Sequence, residues 1–148
     1  MAAVHRRAFL DDAAALLDLR RRSILELAAQ GLPAGEAETW AAKLTLAGMK
    51  RKLRELEIWV AELDGVPAGW GAIRGDYLEG LYTAPEFAGR GIASGMLTRL
   101  EGLMTGRGVA AVCAEASSNA LGFYRRQGYR TSGPQTADSV WPITKDLR

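Results

Sequence analysis

The sequence is poor in the residues that build metal and redox sites. It has one cysteine, Cys113, and one histidine, His5, among 148 residues. A single cysteine excludes an internal disulfide and any metal site made of several cysteines, and a single histidine excludes sites that need a histidine pair. We therefore expect chemistry that uses no metal.

Long apolar runs and a strong net charge are also missing. No segment approaches the ~20 apolar residues of a membrane span, and the N-terminus has no apolar core long enough for a signal peptide. The net charge is +2, too small to argue by itself for nucleic acid or an anionic membrane as partner. These features predict a cytoplasmic protein, and the length predicts one domain over residues 1–148.

The first half of the chain predicts a strand, helices and an antiparallel sheet. Residues 3–8 predict a strand, and Asp11 and Asp12 begin a helical pattern that continues to about residue 29. The sequence Gln30-Gly31-Leu32-Pro33 ends that helix. Residues 34–56 predict a second helical region, interrupted near Gly48. Three strands follow at residues 58–63, 67–74 and 77–83, joined by turns at residues 64–65 and 75–76.

The second half predicts an alternation of helices and strands. A helix ends at Gly106 and Gly108, followed by a buried strand at residues 109–114, a short helix at 117–127, and strands at 129–131 and 140–145. Pro142 favours an edge or bulge in the last strand. The fold class is therefore mixed α/β, with a central mixed sheet of about six to seven strands and about four flanking helices. The sheet is antiparallel in its N-terminal part and has a parallel crossover at its centre.

The helix start in PEFAGRGIASGML, residues 85–97, has glycines where a capping side chain is usual. Gly89 and Gly91 let the backbone approach a ligand closely, and the free N–H groups at this helix start form an anion site suited to phosphate. A plain turn with strain-relieving glycines is the alternative. A dinucleotide-binding turn is another, because Glu115 ends the next strand at a suitable distance. Ser94 in place of the third glycine argues against the dinucleotide-binding turn.

A second motif favours one of these alternatives. The segment LYTAPEFAGRGIASGML (residues 81–97) followed by NALGFYRRQGY (residues 119–129) resembles the GNAT superfamily of acyl-CoA-dependent N-acetyltransferases. The resemblance covers about residues 59–129. It implies acetyl-CoA as co-substrate, an amine of a small molecule or peptide as acceptor, and a possible homodimer. The family's phosphate motif begins with Gln or Arg where this chain has Ala88, so one polar side-chain contact is missing while the backbone donors remain.

The resemblance also implies roles for individual residues. The pyrophosphate of acetyl-CoA would bind Gly89, Arg90, Gly91, Ile92, Ala93 and Ser94, and the pantetheine arm would pair with the backbones of Leu81, Tyr82 and Thr83. Asn119 would hold the cofactor arm, and Tyr124 would contact the cofactor and protonate the departing thiolate. The alternatives are a surface arginine at Arg90, a helix cap at Asn119 and aromatic packing at Tyr124.

Glu79 is the first candidate for the base that deprotonates the amine. Strand alternation predicts Tyr77, Glu79 and Leu81 on one face, and burial in a cleft is expected to raise the pKa of a carboxyl at Glu79. Glu115, Asp76 and an ordered water are alternative bases, and a surface role for Glu79 is also open.

The amine is not specified, because the segments around residues 30–40 and the last strands carry no motif. Two other functions stay open at this point: a non-catalytic acyl-CoA-binding module and a dinucleotide-binding oxidoreductase. Trp40 and Trp70 could line an amine pocket or fill the core, and the core is favoured for both. The run Lys50-Arg51-Lys52-Leu53-Arg54 is interpreted as a solvated helix face.

Overall fold

The computed structural model describes residues 2–27 and 32–148, which form one seven-stranded mixed sheet. The order across the sheet is β1-β2-β3-β4-β5-β7-β6. Only β4 and β5 pair in parallel; the other neighbours pair antiparallel. This confirms the predicted fold class. The strands are β1 (Val4–Arg7), β2 (Glu57–Leu63), β3 (Val66–Arg74), β4 (Tyr77–Thr83), β5 (Ala111–Ser117), β6 (Arg130–Thr131) and β7 (Val140–Asp146).

Five α-helices flank the sheet in the described part of the chain, one more than predicted. They are α1 (Ala13–Glu26), α2 (Glu36–Ala42), α3 (Leu46–Glu55), α4 (Ile92–Gly106) and α5 (Leu121–Arg126). The additional helix arises because the predicted region 34–56 is divided at residues 43–45, so the interruption predicted near Gly48 is wrong. Thr45 is the N-cap of α3, because its hydroxyl accepts a hydrogen bond from the Gly48 N–H at 3.0 Å. The predicted helix end at Gln30 and Gly31 lies outside the described residues.

The segment between α4 and α5 differs from its prediction. Strand β5 continues to Ser117 because it pairs with β7 along its whole length, from Ala111 opposite Asp146 to Ser117 opposite Val140. The following helix therefore begins at Leu121, four residues later than predicted. Strand β7 lies between β5 and β6, so the edge position that Pro142 predicted is wrong.

The core occupies both faces of the sheet. Met96, Leu97 and Leu100 of α4 are buried on one face, and Leu16 and Leu19 of α1 are buried on the other. Trp70 of β3 belongs to the second face, where it is 1% exposed and its indole N–H donates to the Leu16 carbonyl at 3.1 Å. The core role of Trp70 is confirmed. None of the helices among the described residues is long and apolar enough to cross a membrane.

Two glycines of β3 bring α4 close to the sheet. A Cβ at Gly71 would lie 2.7 Å from Leu100 Cδ1 and 3.0 Å from Met96 Cγ. A Cβ at Gly69 would lie 2.7 Å from Cγ2 of Ile92, the first residue of α4. Because glycine has no side chain, these two positions allow α4 and its N-terminal turn to approach β3 and β4 closely.

We expect Gly71→Ala to lower the free energy of unfolding by about 1–3 kcal/mol, the usual range for overpacking a core. Gly102→Ala is the matched control, because this exposed α4 glycine has no atom within 4 Å of an added Cβ. That substitution should raise the free energy of unfolding by about 0.5–1 kcal/mol. Urea denaturation measures both variants. Equal effects at the two positions would contradict the close packing of α4.

Glu57, the first residue of β2, connects three segments. Its carboxylate accepts hydrogen bonds from the Arg107 guanidinium at 2.6 and 3.0 Å and from the Trp59 indole at 2.9 Å. Arg7 of β1 lies 3.8 Å away. These contacts, the Arg107 bonds first, lower the pKa of Glu57 from its usual 4.5 to about 2. Because this pKa is depressed, the stabilisation is complete above about pH 4.5 and is lost as the pH falls through about 2.

Arg107→Met should therefore reduce stability at pH 7, and its difference from the wild type should vanish as the pH approaches 2. Urea denaturation at a series of pH values measures this difference. The exposed Arg51 of α3 supplies the control variant Arg51→Met, for which no such pH dependence is expected. A difference that does not change with pH would contradict the role given to Glu57.

Strands β4 and β5 separate soon after they meet. Their parallel pairing consists of Tyr77 opposite Cys113 and Leu78 opposite Ala114. Beyond Leu78, β4 continues beside β3, and β5 continues beside β7. This divergence of the central strand from its parallel neighbour leaves an opening in the middle of the sheet.

A β-bulge at Glu79 changes which side chains share a face of β4. Ala72 of β3 lies opposite Gly80 and Ile73 lies opposite Leu78, so Glu79 is the extra residue. As a result, Leu78 and Leu81 both pack with α4, although they are three residues apart. Leu81 therefore lies on the face opposite to Tyr77, and the prediction that placed Leu81 with Tyr77 and Glu79 is wrong.

Candidate active site

A cavity of about 840 Å³ lies at the opening between β4 and β5. It is lined by α1, α2, the second half of β4, the end of β5, the turn before α5 and the segment 137–140. Five of the predicted site residues line it: Glu79, Leu81, Tyr82, Asn119 and Tyr124. Thr83 and residues 89–94 are not among the lining residues. The structure therefore brings together the predicted acid, the predicted base and part of the predicted cofactor strand.

Tyr124 combines burial with an available hydroxyl group. The residue is 8% exposed, and its ring packs edge-on against Phe123 and Tyr129, with centroids 5.2 and 5.3 Å away. Its hydroxyl forms no hydrogen bond to any residue that the structure describes. Burial raises the pKa of Tyr124 well above its usual value. The phenol is thus protonated at neutral pH, as a proton donor must be, and the residue lines the cavity.

Glu79 lies at the cavity but is held by a cation. Its side chain is 22% exposed, and a carboxylate oxygen is 3.0 Å from the guanidinium of Arg74, which is 67% exposed. The carboxylate of Glu79 thus has an ion-pair partner at the cavity. Because Arg74 is mostly solvated, the pair holds Glu79 in place only weakly.

The alternative bases are placed differently. Glu115 lines the cavity and accepts a hydrogen bond from the Tyr77 hydroxyl at 3.0 Å. Burial, with this bond to Glu115, raises the pKa of Tyr77 to about 12. Asp76 lies in the turn between β3 and β4, outside the lining residues, where its carbonyl accepts from the Cys113 N–H. Glu115 therefore competes with Glu79 by position, and Asp76 does not.

The glycine turn, residues 89–94, is an uncapped helix start. Gly89 and Gly91 have φ angles of 77° and 78°, in the left-handed region that favours glycine. The Gly95 N–H donates to the Gly91 carbonyl at 2.9 Å, so the N–H groups before it lie outside the α4 ladder. Among the described residues, no side chain caps this helix. The turn has the donors and the helix dipole that an anion site requires.

The other predicted binding residues lie near these features. Arg90 is exposed, with its guanidinium carbon 5.6 Å from the centre of the Phe87 ring. Ser94 donates to the Gln127 side chain at 3.3 Å. Asn119 accepts from the Ser117 hydroxyl at 2.6 Å, in the turn before α5. Because the N-cap of α5 is Ala120, the helix-cap interpretation of Asn119 is wrong.

Sequence reasoning missed the helical wall of the cavity. Arg20 of α1, Glu36 and Trp40 of α2, and Lys43 after α2 all line it. Arg20 belongs to a run of three arginines in which nothing distinguishes the inward one. Trp40 is half-buried: it lines the cavity, the alternative that was less favoured for it, and also packs against the apolar cluster of α1 and α2. The described residues contain no group of three or more His, Cys, Asp or Glu side chains placed to hold a metal ion.

Comparisons with known proteins agree with this geometry. A family model described as the acetyltransferase (GNAT) domain matches residues 25–144. The chain is 26% identical over 117 residues to the uncharacterized N-acetyltransferase YafP of Escherichia coli K12, which covers 79% of this chain and 74% of that protein.

Solved structures share the fold over nearly the whole chain. A GCN5-related N-acetyltransferase from Rhodopseudomonas palustris is similar with a TM-score of 0.90 and 27% identity, covering 99% of this chain and 96% of that chain. The PaiA N-acetyltransferase of Thermoplasma acidophilum, in complex with coenzyme A, is similar with a TM-score of 0.82 and 20% identity, covering 99% of each chain.

Proposed function

The chain belongs to the GNAT acetyltransferase family, and from this premise we propose that it transfers the acetyl group of acetyl-CoA directly to a primary amine of a small molecule or peptide. The observation that carries the proposal is the cavity between β4 and β5, which is lined by a buried tyrosine whose hydroxyl has no hydrogen-bond partner among the described residues. A direct transfer needs both substrates in one cleft, since positioning supplies much of the rate.

Two features support acetyl-CoA as the donor. From Glu79 onward, β4 has no pairing with β5, so backbone groups of Leu81 to Thr83 on that side are available to the amides of a pantetheine arm. The glycine turn then receives the pyrophosphate on the N–H groups that no described side chain caps. The similar PaiA structure contains coenzyme A. The side chain of Ala88 adds no polar contact.

The amine approaches from the side of α1 and α2. Glu79, directly or through water, accepts a proton from the ammonium group, and the amine attacks the thioester carbonyl. A C–N bond forms and the C–S bond breaks, which leaves the thiolate of coenzyme A. Tyr124 donates its proton to that thiolate, and the proton that the nitrogen loses as it becomes an amide returns to the Tyr124 phenolate. The cytoplasmic location, the homodimer and the absence of a nucleic-acid partner stay predictions.

Calorimetric titration and a coupled thiol assay test the proposal. The protein should bind acetyl-CoA, and it should release free thiol only when an amine from a broad panel is added. Binding of NAD or NADP without binding of acetyl-CoA would favour a dinucleotide-binding oxidoreductase instead. Binding of acetyl-CoA without turnover of any amine would favour a non-catalytic acyl-CoA-binding module.

A further inference from the structure

A second, smaller cavity adjoins the main one between α1 and α3. We call it the basic pocket; its volume is about 140 Å³, and it shares Arg20, Lys43 and Leu44 with the main cavity. Its other lining residues are Leu17, Thr45, Gly48, Met49 and Lys52. A group bound in the basic pocket would therefore be continuous with one bound in the main cavity.

Among the described residues, the charged side chains that line the basic pocket are all cations. Arg20, Lys43 and Lys52 line it, and no acidic side chain does so among the described residues. None of these three cations lies within ion-pair distance of an acidic residue in the part of the chain that the structure describes. Burial and the proximity of Arg20 lower the pKa of Lys52. Three like charges around one cavity repel one another unless an anion lies between them.

Arg20 has an unsatisfied donor at this position. Its Nε is fully buried and has no hydrogen-bond partner among the described residues. A buried charged donor without an acceptor is unfavourable, and native structures rarely keep one without a reason. The guanidinium carbon lies 5.0 Å from the centre of the Tyr82 ring, which itself lines the main cavity. Arg20 thus connects the basic pocket to the strand where the reaction is proposed.

The first turn of α3 adds to the positive potential. Thr45, Gly48 and Met49 of this turn line the basic pocket, and the positive end of the α3 dipole lies there. The Thr45 hydroxyl already satisfies the Gly48 N–H. The positive potential of the pocket therefore comes mainly from its three cations, and the helix dipole adds to it.

We propose that the basic pocket binds an anionic group, a carboxylate or phosphate, of the amine that is acetylated. The substrate is then a small amino acid or aminoalkyl phosphate, and the inference rests on the proposed function. At about 30 Å³ per water, the pocket has the volume of roughly five waters, enough for such a group. In the main cavity the four carboxylates Glu36, Glu79, Glu115 and Asp138 outnumber the two shared cations, Arg20 and Lys43. A zwitterion would place its ammonium group among these carboxylates.

Matched pairs of amines test the preference. 4-Aminobutyrate should be acetylated with a kcat/KM at least tenfold above that of butylamine. The kcat/KM for 2-aminoethyl phosphate should exceed that for ethanolamine by a similar factor. Lys52→Met should remove most of this preference, mainly through KM for the anionic amines. Lys50→Met is the matched control, because Lys50 is an exposed lysine of α3 that does not line the basic pocket. It should leave the preference unchanged.

A binding measurement that needs no turnover separates this inference from the proposed function. Calorimetric titration with inorganic phosphate and with butyrate should show binding to the wild type and to Lys50→Met, and loss of at least tenfold in affinity in Lys52→Met. If phosphate binds but both members of each pair are acetylated equally, the pocket binds a free anion and the substrate inference is wrong. If amines are acetylated with no preference for the anionic member of each pair, and the pocket binds no anion, the substrate inference is wrong and the proposed function stands. Anion binding without turnover of any amine would overturn the proposed function and the substrate role together.

Discussion

Tyr124→Phe is expected to lower kcat for acetyl transfer by about 10²- to 10⁴-fold, the range that general acid catalysis contributes. The variant removes the proton donor for the thiolate and keeps the ring that packs against Phe123 and Tyr129. Because the Tyr124 hydroxyl has no partner among the described residues, its loss should change stability little. Steady-state kinetics and calorimetric titration with acetyl-CoA measure the two effects, and binding should be retained.

A neighbouring tyrosine provides the control. Tyr129 belongs to the same aromatic cluster, but its hydroxyl donates to Glu101 at 2.7 Å. The residue does not line the cavity. Tyr129→Phe should therefore reduce stability by about 1 kcal/mol, the net value of one hydrogen bond, and leave kcat near the wild-type value. Full activity of Tyr124→Phe would exclude this phenol as the acid and leave water to protonate the thiolate.

Gly91→Asp is expected to weaken the binding of acetyl-CoA by about 100-fold or more. An aspartate at this N-cap position accepts hydrogen bonds from the N–H groups of the glycine turn and places a negative charge where the pyrophosphate is proposed to bind. Replacing two charge-assisted hydrogen bonds at about 1.5 kcal/mol each gives about 3 kcal/mol, or roughly two factors of ten in Kd. Calorimetric titration with acetyl-CoA measures the change.

Two further variants separate charge from backbone strain. Gly91→Asn introduces a neutral cap of the same shape, and we expect it to weaken binding by only about tenfold. Gly65→Asp places the same charge at a glycine with a φ of 77° in the β2–β3 turn, with open space around it. That variant should bind acetyl-CoA normally. Equal losses in Gly91→Asp and Gly65→Asp would show that the glycine turn is not the phosphate site.

The sequence predicts the central part of the molecule well, because local patterns determine it. The Asp64-Gly65 turn and the alternating strands on either side fix a hairpin, and the apolar spacing of α4 fixes the face that packs on the sheet. The bulge at Glu79 has no comparable signal. It depends on how β4 pairs with β3, so alternation alone places Leu81 on the wrong face.

The places of the predicted site residues in the fold follow from the sequence where a motif lies on one element. Residues 81–83, the glycine turn and Tyr124 are close together in the chain or belong to the family's two motifs, and their places in the fold follow from that order. The helical wall was not predictable, because Arg20 and Lys43 become neighbours only when α1, α2 and α3 pack together. The interpretation of Lys50 to Arg54 as a solvated face fails at Lys52 for the same reason.

The short junction between β4 and β5 has a mechanical consequence. Strands β1–β4 and β5–β7 form two sub-sheets, and two residue pairs connect them along the shared edge. We expect so short a junction to allow a small relative tilt of the sub-sheets, and such a tilt would change the width of the opening. A ligand that contacts both inner edges fixes that tilt. Acetyl-CoA should therefore slow amide hydrogen exchange in both sub-sheets, including strands that it does not touch.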